Sequence, residues 1–317
     1  MLNSPAHTLL TPENLDLIRR IAAEGSFAAA ARQLNVVPSA LTYRVRQIEE
    51  ALDVLLFDRR SRQAHLTDAG QVLLDDSESI LNEIDALARR VKRVATGWEP
   101  VLTIAIDTII NAEVVLDLCD SFHALNPPTQ LRIREETLSG TLASVNSGLA
   151  DLAVGVSAEV GATGRLRGFP LGTMRFVFAV APTHPLASSC EPLSDDILQS
   201  VRAVAVADSV NQGKGQTVGL LGGQPVLTVP DMRSKLMAQV KGLGVGFLPE
   251  PMARPWIESG LLVEKRVERA ERKAALQCVW RDAPKQTPGK ALDWWIKALS
   301  KPATRRALLG NRQVAVR

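Results

Sequence analysis

The chain has 317 residues, 46% of them apolar and 22% charged. That length exceeds one small domain and fits two or three, and the apolar share is enough to bury real cores, which excludes wholesale disorder. The formal net charge is only +3, but residues 1–91 contain no lysine, so every cation there is an arginine, the side chain that forks onto phosphates and guanine edges.

Other classes fall away quickly. No run approaches the ~18 uncharged apolar residues of a membrane-spanning helix. Met1 to Thr11 lacks a basic region followed by an apolar stretch, so no secretory signal is expected there. Cys119, Cys190 and Cys278 form no Cys-x-x-Cys pair and no disulfide framework, which fits a reducing cytoplasm. His7, His65, His123 and His184 show no metal-ligand spacing. No metal and no cofactor is expected.

In chain order, Leu15, Ile18 and Ile21 repeat at helical spacing, and Glu24-Gly25-Ser26 ends that helix, with Gly25 suited to a left-handed terminus. Ser26 is a ready N-cap for a second helix, Phe27–Leu34, whose Ala28–Ala31 run permits close approach of another helix. A third helix opens at Pro38. Leu41, Val45, Ile48 and Leu52 make one apolar stripe along it, and Ser39, Thr42, Tyr43 and Arg46 lie on the opposite face. Helix, tight turn, second helix is the layout that places a recognition helix in a DNA major groove. Two short strand-like pieces, Leu55–Phe57 and Ala64–Leu66, flank the basic loop Asp58-Arg59-Arg60-Ser61-Arg62. This is a wing suited to phosphate or minor-groove contact.

Thr67 caps a long helix reaching about Ala95. Leu73, Leu74, Ser77, Ile80, Leu81, Ile84, Leu87, Ala88, Val91 and Val94 form a stripe near heptad spacing. That seam packs on another copy of the chain or on its own neighbouring domain. Thr96–Pro100 forms a hinge. Beyond Val101 short apolar strands alternate with helices: strands at 101–106, 131–135 and 151–156, helices at 111–125 and 141–148. The alternation argues α/β layers with a largely parallel sheet. Gly161, Gly164 and Gly168 loosen the next stretch. A second set has strands at 174–181, 201–207 and 226–229, a helix at 231–242, and a glycine turn, Gly242–Gly246, entering a buried strand. A strand at 275–280 and a helix at 290–299 close the chain. From Lys285 to Arg317 eight Lys and Arg stand against Asp293 alone. This basic tail is either a solvated face or an aid to binding an acidic surface.

The chain resembles a LysR-type transcriptional regulator over nearly its whole length. The residues that carry the resemblance are Glu24-Gly25-Ser26-Phe27, Ala30-Ala31, Leu34, Ser39-Ala40-Leu41, Ile48-Glu49, Leu52, Leu56–Arg59 and Leu66–Gly70, with weaker echoes at Leu149–Val154 and Gly242–Pro249. The resemblance implies an α/β fold with an N-terminal all-α winged helix-turn-helix (1–66), a long dimerising linker helix (67–97) and a two-lobe, periplasmic-binding-protein-like effector domain (98–317). Lobe one is expected at about 98–168 and 271–317, lobe two at about 169–270. It implies promoter DNA, a small metabolite effector and a homodimer or homotetramer; the hydroxyls and bare amides at the cleft's helix starts suit an anionic one. RNA polymerase is a further expected partner, and the protein is expected in the bacterial cytoplasm, at the nucleoid when bound. Thr42 and Tyr43 depart from the family's usual residues. Thr keeps the hydroxyl, while Tyr43 changes the readout surface, so the target sequence does not carry over.

Pro38, Ser39, Thr42, Tyr43 and Arg46 are expected to face the groove, with Arg59 and Arg62 gripping phosphates from the wing. Arg44 can instead pair with Glu49 or Asp53. Clefts of the two-lobe kind use strand ends and helix N-termini. Thr108, Ser139, Gly140 and Thr141 hold such positions in lobe one, and Asp208 and Asp231 in lobe two. His184 is a surface-loop histidine or a ligand contact, and Cys119 and Cys278 fall on core stripes. Nucleophile-elbow, phosphate-loop and zincin motifs are missing. Gly242-x-Gly244-x-Gly246 leads into an apolar run ending in proline rather than into a helix. The rival reading is a solute-binding or enzymatic α/β protein carrying an N-terminal interaction module.

Overall fold

The computed structural model describes residues 8–58, 64–157, 166–210, 219–281 and 288–310. The chain separates into two compact units, Met1–Ala88 and Arg89–Arg317.

The first unit opens with α1 (Pro12–Glu24), α2 (Phe27–Gln33) and α3 (Pro38–Leu52). Local signals set their ends. Thr11 Oγ1 accepts the Asn14 N–H at 3.4 Å, Ser26 Oγ accepts that of Ala29 at 3.4 Å, and Gly25 closes α1 at φ 60°. Val37 precedes α3 without a side-chain cap, and Pro38 sits in its first turn. Leu17, Ile18, Ile21, Ala30, Ala31, Leu41, Val45, Ile48, Leu56 and Phe57 form one buried cluster. The alanines of α2 therefore do what small residues allow: they let three short helices share a core.

The wing is a two-stranded antiparallel ribbon of β1 (Phe57–Asp58) and β2 (His65–Leu66), paired Phe57 to Leu66 and Asp58 to His65. Arg59 and Arg62 lie outside the described residues. α4 (Asp68–Thr96) follows, 29 residues or ~44 Å of helix. Thr67 Oγ1 accepts the Gly70 N–H at 3.0 Å at its start. Ile80, Ile84, Leu87, Val91 and Val94 on its stripe are exposed, while Ser77 is buried.

In the second unit β3 (Val101–Asp107) pairs in parallel with β4 (Gln130–Glu136) and β5 (Leu152–Val156), and α5 (Ala112–His123) and α6 (Gly140–Asn146) supply the crossovers. The chain then enters β6 (Leu166–Val180), 15 residues long. Later elements are α7 (Asp195–Gln199), β7 (Ala203–Val206), β8 (Val226–Val229), α8 (Met232–Val240), β9 (Gly246–Pro249), α9 (Glu250–Glu258), β10 (Val263–Lys265), β11 (Lys273–Arg281), α10 (Lys290–Ser300) and α11 (Pro302–Leu308).

The expected largely parallel sheet is corrected here. β11 returns antiparallel between β5 and β6, and both β9 and β10 pair antiparallel with β6. Among the strands of the described residues, β3 with its two neighbours and the separate β7–β8 pair are parallel. The reason is connectivity: a chain that leaves lobe one along β6 and comes home along β11 must lay those two strands side by side in opposite senses. β6 serves both lobes. Its residues 166–175 pair with β11, and its residues 176–180 pair with β9 and β10. Gly168, expected to loosen the chain, sits inside β6 opposite Val279. The short elements α7, α9, β10 and α11 carried no sequence signal strong enough to expect them.

Candidate nucleic-acid interface and effector cleft

α3 is polarised. Leu41, Val45 and Ile48 are buried, while Pro38, Ser39, Thr42, Tyr43 and Arg46 are exposed on the other side. The exposed groups make short-range contacts with their own helix. Thr42 Oγ1 donates to Pro38 O at 3.0 Å, Gln47 Nε2 donates to the Tyr43 hydroxyl at 3.0 Å, and Arg46 Nε pairs with Glu50 at 2.8 Å. Such i,i+4 pairs on a solvated surface are weak and break readily for a better partner. A duplex phosphate or a guanine edge is such a partner.

Glu49 entered the sequence reading as a residue of the family resemblance and as a partner open to Arg44, and its structural role was not expected. It is buried, and its carboxylate accepts the backbone N–H of Leu56 at 2.8 Å and of Phe57 at 3.4 Å. It thereby ties the start of the wing to α3. An acid next to Ile48 of the apolar stripe, three residues before the end of α3, was the available signal. Arg44, for which pairing with Glu49 or Asp53 was one alternative, lines a groove with Glu13 and Asp16 of α1.

In the second unit four of the six expected effector residues gather where β3 and β4 end. Asp107, the last residue of β3, is buried; its carboxylate accepts the Ile109 N–H at 3.1 Å and the Thr141 hydroxyl at 3.2 Å. Burial pushes its pKa up to about 7 despite these hydrogen bonds. Thr108 N–H bonds Glu136 O at 3.1 Å.

Ser139 and Gly140 meet lobe two directly. The Ser139 hydroxyl donates to Asp208 Oδ2 at 2.6 Å. Beside it, the Thr137 hydroxyl donates to Ala207 O at 2.6 Å, and Ser209 Oγ accepts the Thr137 N–H at 3.1 Å. A Cβ at position 140 would lie 1.8 Å from Ser209 Oγ, so the approach of the lobes demands glycine there. Arg233 of α8 reaches Glu135 of β4 at 3.6 Å. Asp208 thus joins the lobe-one residues. Asp231 does not; it caps α8, accepting the Ser234 N–H at 2.7 Å.

His184 caps a short 3-10 turn, with Nδ1 accepting the Leu186 N–H at 3.2 Å, and burial lowers its pKa. Cys278 is buried, Cys119 half-buried and Cys190 exposed. Among the described residues no helix is long and apolar enough to cross a membrane.

Residues 12–71 match the family model "Bacterial regulatory helix-turn-helix protein, lysR family", and residues 95–302 match "LysR substrate binding domain". The chain belongs to the LysR family. This LysR-type protein is a DNA-binding transcriptional regulator with a helix-turn-helix and an effector-binding domain, not an enzyme. It is 35% identical to the uncharacterized HTH-type transcriptional regulator YeeY of Escherichia coli K12, over 86% of this chain and 87% of that one. It is 34% identical to the probable regulator YhaJ of the same organism, over 92% and 96% of the two chains. The solved structure of CbnR, a LysR family transcriptional regulator, aligns over 92% of this chain and 100% of its own with a TM-score of 0.58. At 18% identity that likeness speaks for the fold alone.

Proposed function

We propose that the LysR-type regulator reads promoter DNA with Pro38, Ser39, Thr42, Tyr43 and Arg46 of α3 in the major groove, and with Arg59 and Arg62 gripping phosphates from the wing. The division into a DNA-binding head (1–66), a linker (67–97) and an effector domain (98–317) belongs to the same reading. The observation that carries it is the polarity of α3: its apolar stripe is sealed in the head core, while its hydroxyls and guanidinium stand in solvent. Two heads act together because the exposed stripe Ile80–Ile84–Leu87–Val91–Val94 of α4 packs on the same stripe of a second copy. RNA polymerase and nucleoid association follow as consequences of promoter binding.

The effector, a small anionic metabolite, enters at Thr108, Ser139, Gly140, Thr141 and Asp208, with Asp231 at the head of α8 nearby in sequence to the lobe-two wall. To act, it must bind one lobe arrangement better than the other, and it does so by competing with the Ser139–Asp208 and Thr137–Ala207 hydrogen bonds.

A gel shift on the DNA upstream of the regulator's own coding region tests the head. Binding should weaken as salt rises, and Arg46→Ala should weaken it by about ten-fold. No retardation at low salt across that region and neighbouring promoters overturns the proposal. Leu81→Asp combined with Ile84→Asp should halve the particle mass in light scattering; an unchanged oligomer rejects the α4 seam.

A further inference from the structure

Asp107 ends β3 with 5% of its surface exposed, and no lysine or arginine pairs with it among the described residues. Its carboxylate is held by neutral donors: the N–H groups of Ile109 and Leu138 and the Thr141 hydroxyl. The charged groups around the same loop are acids. Glu136 of β4 is the partner of Asp107 in register, is buried as well, and is held by Arg134 at 3.0 Å. Asp208 of lobe two takes the hydroxyl of Ser139, two residues before Thr141. From β5, Gly155 brings no charge; a Cβ there would lie 2.9 Å from that of Asp107.

The hydroxyl hydrogens of this loop are already given away. Thr141 donates to Asp107, Ser144 to Glu136, Ser139 to Asp208, Thr137 to Ala207 O and Ser209 to Thr137 O. A hydroxyl carries one hydrogen, so none of these five can serve an anion without abandoning the acceptor it has. An anion set against Thr108, Ser139 and Thr141 also meets, directly behind the Thr141 hydroxyl, the carboxylate of Asp107 at 3.2 Å. Two like charges sharing a buried site do not both stay ionised. Asp107 is the acid placed to give way: it is buried without a cation, and that burial already holds its pKa at about 7.

We propose that the effector anion enters the cleft together with one proton, taken from solvent and held on Asp107. The O–H formed on Asp107 donates to the anion, and the Thr141 hydroxyl, released from a charged acceptor, turns to the anion as well. Anion and proton together leave the net charge of the cleft unchanged. The inference rests on the anionic-effector reading of this cleft and adds to it a residue, Asp107, that was not among those expected to line it. It makes the regulator respond to the anion and to pH jointly, because each ligand raises the affinity for the other.

The test is titration of the full chain with acetate and with lactate, both ionised throughout the range used. Dissociation constants taken from the rise of Tm with anion concentration should be about ten-fold weaker at about pH 8 than at about pH 6, the factor set by one linked proton and a ligand-free pKa of about 7. Calorimetry in two buffers of different ionisation enthalpy should count about one proton taken up per anion at the higher pH. Asp107→Asn, which keeps an uncharged group of the same shape, should bind both anions equally at the two pH values and take up no proton. Equal wild-type affinity at the two pH values, no proton uptake by the wild-type chain, or an unchanged pH dependence in Asp107→Asn overturns the proton linkage and leaves the anionic-effector reading standing. No response to either anion at either pH overturns both. The wild-type proton count decides by itself if Asp107→Asn does not fold.

Discussion

On α3 the polar side chains Thr42, Tyr43 and Arg46 stand in solvent, and their partners lie four residues away on the same helix. Where β3 and β4 end, Asp107, Thr137, Thr141 and Asp208 are buried, and the bonds that join the lobes link residues 69 to 72 positions apart. The first region keeps its groups available at little cost to the fold. The second spends its groups on the fold itself, so anything that binds there must replace hydrogen bonds already made. The proposed DNA-reading surface and the proposed ligand-responsive hinge need these opposite arrangements: one must be ready at all times, the other must hold two states of similar energy.

The contrast breaks most visibly through Asp208→Ala. It leaves the Ser139 hydroxyl and the Val210 N–H without the carboxylate that accepts them. The expected loss is about 2 kcal/mol in urea unfolding of the second unit; a change below about 0.5 kcal/mol would show that the lobe contact does not hold.

Asp107 supplies a subtler check. Its folded pKa, about 7, lies above its ordinary value of 3.8. The folded chain therefore binds more protons than the unfolded chain between those values. Its contribution is fully present below pH ~4 and is lost as pH rises through 7. Asp107→Asn should flatten the fall of Tm between pH 4 and 7. A slope identical to wild type would place the titration elsewhere.

The smallest stability effect belongs to the head. Arg46→Ala removes one exposed ion pair with Glu50 and should change stability by less than about 0.5 kcal/mol, even as it weakens DNA binding. A large stability loss would show that Arg46 is structural and not a reading residue.

Much of the head was legible in the sequence because its determinants are local. Thr11, Ser26 and Gly25 cap helices within three residues of themselves, and the stripe Leu41–Val45–Ile48 needs only the helical period to name its buried side. The role of Glu49 was not legible because its partners, Leu56 and Phe57, lie across a turn. In the second unit the strands were visible as apolar runs, but their directions were not. A run such as 275–280 looks the same whether it pairs parallel or antiparallel, and the path of the intervening chain decides. Of the expected effector residues, Ser139, Gly140 and Asp208 came together, Thr141 joined Asp107, and Asp231 turned to cap its own helix.

By itself the sequence determined the three-helix head, the polarised α3, the long α4 and the membership of the second half in an α/β fold, because caps, helical stripes and apolar runs act over a few residues. The tertiary structure alone decided that β6 serves both lobes, that Thr137 and Ser139 close onto residues 207–209, and that the Gln239 side-chain amide ends buried without a hydrogen-bond partner among the described residues. Those facts depend on which distant segments exclude water from one another, and no local pattern encodes the neighbour that a side chain will finally meet.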